Sequence, residues 1–192
     1  ESESFKDDGF GLPPAKWKGG SCAHYANFSG CNKKIIGARY FKADRNPDPD
    51  DILSPVDVDG HGTHTSSTLA GNEVPNANLE GFARGMARGA VPSARVAVYK
   101  VCWASFGCAD VDILAAFDAA IHDGVDVISI SIGGLTEDYG SDSISVGSFH
   151  AMKKGMITVA SAGNDGPKPS SLSNYAPWIL TVAASGIDRE FR

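Results

Sequence analysis

The chain has 192 residues, 42% of them hydrophobic, which is enough for one sizeable buried core. Its 17 Lys and Arg residues and 23 Asp and Glu residues give a formal net charge of -6, without a basic block that would neutralise a run of phosphates. No apolar stretch approaches the roughly 20 residues that cross a bilayer. We therefore expect no nucleic-acid partner and no membrane partner.

The first 60 residues show little hydrophobic periodicity. They contain one predicted strand, at 34–41, and the sequence NPDPDD at 46–51. Because proline lacks a backbone N–H and fixes its φ angle, this second segment fits neither a helix nor a central strand. We predict a surface loop there.

After residue 60, apolar runs of strand length alternate with helical patterns. The predicted elements are, in chain order, a strand at 94–101, a helix at 110–122, a strand at 125–132, a helix at 142–154, and strands at 156–161 and 179–184. This βαβαβ order predicts an α/β fold with a parallel sheet. Since the strands are almost continuously apolar, we expect both faces of the sheet to be covered.

The helix at 110–122 has the clearest pattern. Asp110 is placed to cap its first turn, and Gly124 is placed to end it in the left-handed conformation. Four apolar residues fall on one face at helical spacing and should pack on the sheet: Ile113, Leu114, Phe117 and Ile121.

The four cysteines form two close pairs in the sequence, Cys22 with Cys31 and Cys102 with Cys108. Four cysteines allow three connectivities, and we favour the two local bridges because each closes a loop rich in Gly, Ser and Asn. Four free buried thiols are the alternative. The one Asn-x-Ser/Thr sequon starts at Asn27, between the first two cysteines, and favours an oxidising compartment and a glycan there.

The segment 59–71, DGHGTHTSSTLAG, contains the strongest catalytic candidate. His61 lies between two glycines at a predicted helix start, where its imidazole is unobstructed, as a general base requires. The positive end of the helix dipole also disfavours the charged imidazolium. The small Thr and Ser residues that follow are expected to bury against a sheet.

Other interpretations of this region stay open. His61 and His64 could be two metal ligands, although a three-residue spacing without further ligands gives this thin support. Either could be a core histidine, which is the role we expect for His64. The glycine-rich segment 81–89 lacks the Gly-Lys-Ser/Thr ending of a phosphate loop, so we predict a surface turn.

Glycines follow two of the predicted strands at their carboxyl ends, where open parallel sheets carry their chemistry. The strand at 125–132 leads into two glycines, and the strand at 156–161 leads into AGNDGP at 162–167. Glycines there would let an extended peptide approach closely. Two ordinary turns between strand and helix are the alternative.

Taken together, these motifs resemble those of the subtilisin-like serine proteases. The segment 59–71 is similar to the histidine motif of that family, and SIGG at 131–134 and SAGN at 161–164 match its two later signatures in order and approximate spacing. Further segments resemble the cucumisin-type plant subtilases: ESESF at 1–5, KWKG at 16–19, CNKKIIGAR at 31–39 and YKVCW at 99–103. The resemblance covers essentially the whole chain.

The resemblance implies a subtilisin-like parallel sheet flanked by helices, and a role for each matched residue. His61 would be the general base, His64 would be structural, and Asn164 would donate its side-chain amide to the oxyanion. No cofactor and no metal ion are implied. Five residues would contact the peptide: Ser131, Ile132 and Gly133 by backbone pairing, and Ser161 and Gly163 as the wall of the pocket for the residue before the scissile bond.

Two motifs of the family do not occur in this sequence. There is no apolar strand ending in Asp-Thr/Ser-Gly, for which DDG at 7–9 is a poor substitute, and no Gly-Thr-Ser-Met; Ser148 falls within a predicted helix. We therefore expect residues 1–192 to be a partial catalytic domain that ends near the insertion point of the protease-associated domain. Such a chain lacks the first catalytic strand and the C-terminal part, and should be inactive alone.

Two functions follow as hypotheses. In the first, the chain is a portion of a secreted serine endopeptidase, extracellular (apoplast) or vacuolar, that works with the remaining segments of its own protease on peptide or protein substrates. In the second, it is a stable proteolytic fragment with a non-catalytic binding or storage role. An unrelated metal or nucleotide protein on an α/β scaffold is a third, weaker alternative.

Overall fold

The computed structural model describes residues 2–19, 22, 27–134, 138–186 and 188. The chain forms two compact units, Glu1–Gly124 and Val125–Arg192. Each unit combines helices with parallel strands, so the α/β class predicted from the sequence is confirmed. No helix in this described part is long and apolar enough to span a membrane.

The first unit contains a two-stranded parallel sheet, β1 (Ile35–Tyr40) beside β4 (Val96–Lys100). Both strands lie inside the predicted ranges 34–41 and 94–101. The other elements are a 3-10 helix (Glu3–Phe5), α1 (His61–Ala70), the antiparallel pair β2 (Val74–Leu79) and β3 (Phe82–Ala87), the antiparallel pair β5 (Cys102–Trp103) and β6 (Gly107–Cys108), and α2 (Asp110–Asp123).

The start of β1 is fixed by Lys34, whose side chain is fully buried. Its Nζ donates hydrogen bonds to the carbonyls of Pro92 and Ala94, each at 2.6 Å. A buried ammonium group is stable only when its donors are satisfied in this way. Because both carbonyls lie just before β4, the contacts align the starts of the two parallel strands.

Helix α2 is tied to this sheet through Asp123, which is buried at its last turn. The carboxylate accepts from the Tyr99 hydroxyl at 2.8 Å and from the Arg39 guanidinium at 3.1 Å, and both donors lie on the two strands. Burial of the hydroxyl, and then its hydrogen bond to Asp123, raise the pKa of Tyr99. Gly124 ends the helix at φ 81°, as predicted.

Two sequence-based details of α2 are wrong. The N-cap position is Ala109, and no side chain caps the helix there, so Asp110 is the first helical residue and not the cap. The buried face also differs, because small alanines that weigh little in a hydrophobic pattern fill it, while Leu114 and Ile121 are half-buried. The apolar residues of the buried face are Ile113, Ala116, Phe117 and Ala120.

The segment 81–89, predicted as a surface turn, is mostly the strand β3 of a β-hairpin. The two residues between β2 and β3 are Glu80 and Gly81, with φ angles of 49° and 90°. Positive φ at both central residues is the requirement of a type I′ turn, whose twist suits a hairpin. The sequence signal was weak because glutamate, unlike asparagine, is an uncommon first residue of that turn.

The loop at 46–51 contains neither helix nor strand, as predicted. It is not wholly a surface loop, because Asp48 is buried. Its carboxylate accepts from the backbone N–H groups of Asp50 and Ser105, each at 2.9 Å. Proline excludes regular structure from the segment, and the aspartate then anchors it.

The second unit contains a three-stranded parallel sheet in the order β7 (Val127–Ile130), β8 (Ile157–Ser161) and β9 (Ile179–Val182). The helix α3 (Ser143–Lys153) connects β7 to β8 and contacts β8. Its N-cap is Asp142, whose carboxylate accepts from the N–H groups of Ile144 at 3.0 Å and Ser145 at 3.3 Å.

The prediction that both faces of the sheet are covered is wrong for the described residues of this unit. Burial alternates along the three strands, so one side of each strand is shielded and the other is open. The open side carries Val127 and Ile157, with 52% and 58% exposure, and Leu180 and Val182, with 58% and 52%. The apolar composition of the strands predicts that both faces are covered, but the described residues of this unit cover only one face.

Candidate active site

His61 is the first residue of α1 and is exposed to solvent. The preceding Gly60 has a φ angle of 93°, a left-handed conformation that glycine adopts without strain. This turn directs the chain into the helix immediately at the histidine. The glycine flanks therefore leave the imidazole open, as the sequence predicts.

Asp57 holds this turn in place. One carboxylate oxygen accepts from the backbone N–H of Gly60 at 2.9 Å, and the other accepts from the backbone N–H and the hydroxyl of Thr63, each at 2.7 Å. Burial acts to raise the pKa of Asp57, but the hydrogen bonds from Thr63 and Gly60 outweigh it and hold the pKa below its ordinary value. The carboxylate thus satisfies free donors of the first helical turn and orients the His61 backbone.

Sequence reasoning missed Asp57. The available signal was an aspartate shortly before a helix start, which is the usual place of an N-terminal cap, but here it stands three residues before the N-cap position. His64 is exposed in the described structure, so the prediction of a core histidine is wrong. Thr65, Ser67 and Thr68 donate their hydroxyls to helix carbonyls, as in the bond of Ser67 Oγ to the His64 carbonyl at 2.8 Å. Residues 65–68 are at most half-buried.

In the second unit, the segments that follow β7 and β8 lie against each other. A Cβ atom placed on Gly133 would come within 3.3 Å of the Gly163 Cα, and one on Gly163 would come within 2.7 Å of the Ser173 Oγ. Gly163 also has a φ angle of 82°. Glycine is therefore required at 163 for conformation and for space.

Hydrogen bonds join the same two segments through residues 173 and 174. Asn174 Nδ2 donates to the carbonyl of Ile132 at 2.7 Å and to that of Ser161 at 2.9 Å. Ser173 Oγ donates to the Gly134 carbonyl at 3.0 Å. Neither Ser173 nor Asn174 was identified from sequence, because only long-range contacts reveal the role of a short polar pair before a strand.

Asn164 follows directly after this junction and is exposed. The structure thus brings together Ser131, Ile132, Gly133, Ser161 and Gly163 at the carboxyl ends of β7 and β8, with Asn164 at the end of the run. His61 belongs to the first unit, and these residues belong to the second.

The remaining predicted sites concern covalent modification and metal binding. The structure contains the two local disulfides, Cys22–Cys31 and Cys102–Cys108, and Asn27 is exposed between the first pair. Among the described residues there is no group of three or more His, Cys, Asp or Glu side chains that could hold a metal ion.

Comparison with solved structures supports the fold class. A psychrophilic protease superposes with a TM-score of 0.52 and 31% sequence identity, over 69% of this chain and 41% of that chain. The parallel strands, with glycines packed together at their carboxyl ends, therefore occur on a partial subtilisin-type α/β fold.

Sequence comparison is more specific. Residues 26–190 match the model of the Subtilase family, and the chain belongs to that family. The subtilisin-like proteases SBT4.14 and SBT4.15 of Arabidopsis thaliana are 70% and 58% identical to it over 192 residues. Each match covers 100% of this chain but only 26% and 25% of the relative, so the chain spans about a quarter of the length of these plant subtilases.

Proposed function

We propose that this chain is the part of a serine endopeptidase that supplies the general base and one oxyanion donor. His61 would accept the proton of a serine hydroxyl as that oxygen attacks the scissile carbonyl, and would return it to the leaving amine. The exposure of His61 at a helix start that Asp57 braces supports this role. Because its carboxylate accepts hydrogen bonds from Gly60 and Thr63, Asp57 would also hold the backbone around His61 in place.

Asn164 would donate its side-chain amide to the oxyanion of the tetrahedral intermediate. In subtilisin, which belongs to the same family, loss of the asparagine donor costs roughly 10²- to 10³-fold in kcat. The observation that carries the proposal is that residues 131–133, which follow β7, lie against Ser161 and Gly163 directly before Asn164. Within the described sheet β7 pairs with β8 on one side only, so its continuation at 131–133 would accept an extended peptide on the other side.

The peptide would lie along residues 131–133 and would be paired by their backbone, with Ser161 and Gly163 as the wall of the pocket beside the scissile bond. The carbonyl of Ile132 already accepts from Asn174, so Ile132 would contribute through its remaining groups. Membership of the Subtilase family supports peptide or protein substrates. No cofactor is part of the proposal.

The catalytic serine and aspartate would come from segments outside these 192 residues, so we propose that the chain alone does not turn over substrate. Residues 1–192 would then be a partial catalytic domain. Two disulfides and an exposed sequon asparagine support a secreted glycoprotein with a glycan on Asn27, in the apoplast or the vacuole.

The test is labelling with a serine-reactive peptide phosphonate. The full-length protein should be labelled, while the isolated 192-residue chain should not. In the full-length protein, His61→Ala should lower the labelling rate by about 10³-fold or more. His122→Ala is the matched control, since that imidazole is 77% exposed on α2, and its labelling rate should equal that of wild type.

Two outcomes would contradict the proposal. If the full-length protein is not labelled, the chain has a non-catalytic role such as binding or storage. If it is labelled but His61→Ala reacts at the wild-type rate, another residue is the base.

A further inference from the structure

The dipeptide Ser173 and Asn174, termed here the 173–174 clamp, joins the two segments of the proposed peptide site. Both residues are buried, with 4% and 7% exposure. The clamp makes four hydrogen bonds to these segments. Besides the three side-chain bonds described above, the backbone N–H of Ser173 donates to the Ala162 carbonyl at 2.9 Å.

Asn174 is chemically suited to its place. Its amide has two N–H donors, and both point to backbone carbonyls, one from each segment. A carboxylate or an apolar side chain offers no such donors. The backbone has a φ angle of 54°, which asparagine adopts more readily than most residues, and the Asn174 carbonyl accepts from the Thr181 hydroxyl on β9.

The clamp occupies alternate carbonyls of the peptide-binding segment, those of Ile132 and Gly134. In extended backbone, successive residues direct their N–H and C=O groups to opposite sides. The alternation of bonded carbonyls indicates an extended course for residues 131–134, in which Ser131 and Gly133 direct theirs away from the clamp. The clamp thereby selects which residues of the segment are available to pair with a peptide.

We propose that Asn174 is a positioning residue, which sets the register of residues 131–134 against the Ser161 strand end so that Ser131 and Gly133 can pair with an extended substrate. It acts through these segments and does not touch the substrate. This inference rests on the proposed function, which it extends from the reacting groups to the residue that aligns the peptide.

The test compares two substrates in the full-length protein. One is a tetrapeptide anilide, which can pair with the segment along its backbone, and the other is an acylated single-residue ester, whose one amide group can make only the pair nearest the scissile bond. Asn174→Gly removes the amide but keeps a residue that tolerates the positive φ angle. We expect kcat/KM for the tetrapeptide to fall about ten- to a hundredfold, mainly through KM, and that for the ester to fall less than about threefold.

Two further variants make the result specific. Ser170→Gly is the matched control, because Ser170 is exposed and has a similar φ angle of 61°, and it should leave both substrates unchanged. Asn174→Asp should lose the tetrapeptide preference at neutral pH and partly recover it at acidic pH, because a protonated carboxyl regains one donor. The ratio of the two substrates cancels the titration of the catalytic base.

A second measurement does not require turnover. Amide hydrogen exchange at residues 131–134 should accelerate about tenfold or more in Asn174→Gly and should not change in Ser170→Gly. An unchanged substrate ratio, or an equal loss for both substrates with a lowered Tm, would overturn the positioning role. If wild type hydrolyses neither substrate, the proposed function fails, and unchanged exchange in Asn174→Gly would then overturn the clamp independently.

Discussion

Replacement of Gly163 by alanine should destabilise the protein for two separable reasons, a strained backbone conformation and a steric contact of the new Cβ atom. In Gly163→Ala, the φ angle of 82° would cost about 1–2 kcal/mol for an L side chain. The new Cβ would also lie 2.7 Å from the Ser173 Oγ. That hydroxyl can rotate away only by giving up its bond to the Gly134 carbonyl, which is worth about 1 kcal/mol.

Gly155→Ala separates these costs. Gly155 lies in the same unit with a φ angle of 80°, and a Cβ there meets nothing within 4 Å. We expect a loss of about 1–2 kcal/mol for Gly155→Ala and about 2–3 kcal/mol for Gly163→Ala. Native-state hydrogen exchange of the β8 and β9 amides in the full-length protein measures both losses as local free energies of opening.

A double mutant completes the experiment. In a Ser173→Ala background the hydroxyl is absent, so Gly163→Ala should cost about 1 kcal/mol less than in wild type, although the Cβ of residue 173, 3.3 Å from the new Cβ, remains in both backgrounds. Equal losses for Gly163→Ala and Gly155→Ala in the wild-type background would refute the steric part of the reasoning. The Cβ of the alanine at position 163 would then fit without displacing the Ser173 hydroxyl.

Two further predictions concern the first unit. Because the folded state lowers the pKa of Asp57 below its ordinary 3.8, this carboxylate stabilises the protein above that value, and the stability is lost as the pH falls through the folded pKa. The difference in urea midpoint between wild type and Asp57→Asn should therefore be largest near neutral pH and should shrink below about pH 4. A difference that stays constant with pH would contradict this role of the carboxylate. Glu80→Asn should slow amide exchange in β2 and β3, because Asn-Gly is the preferred pair of a type I′ turn. Glu80→Ala should speed that exchange. Faster exchange in Glu80→Asn than in Glu80→Ala would exclude this turn type.

The strands and helices were largely predictable from the sequence because their signals are local. The helix predicted at 110–122 is observed as Asp110–Asp123, and the helix predicted at 142–154 as Ser143–Lys153. Hydrophobic period and glycine stops set these limits. The β2 and β3 hairpin was missed because its exposed strands do not alternate between apolar and polar residues, and its turn begins with glutamate.

The predicted site residues near the strand ends were found from motifs, but the residues that hold them were not. Asn174 contacts Ile132, 42 positions earlier in the chain, and no local pattern encodes that pairing. Asp57 likewise acts across the turn on Thr63. Burial of a short polar side chain becomes informative only when its distant acceptor is known, which requires the fold.

The short span of the two disulfides has a practical consequence. They link cysteines only 9 and 6 positions apart, and they use all four cysteines of the chain. Neither bridge would keep distant parts of the polypeptide covalently joined after a backbone cut. A nick in the proline-rich segment at 46–51 would therefore release two fragments on a denaturing gel even without reductant, so intactness of a preparation can be judged under non-reducing conditions.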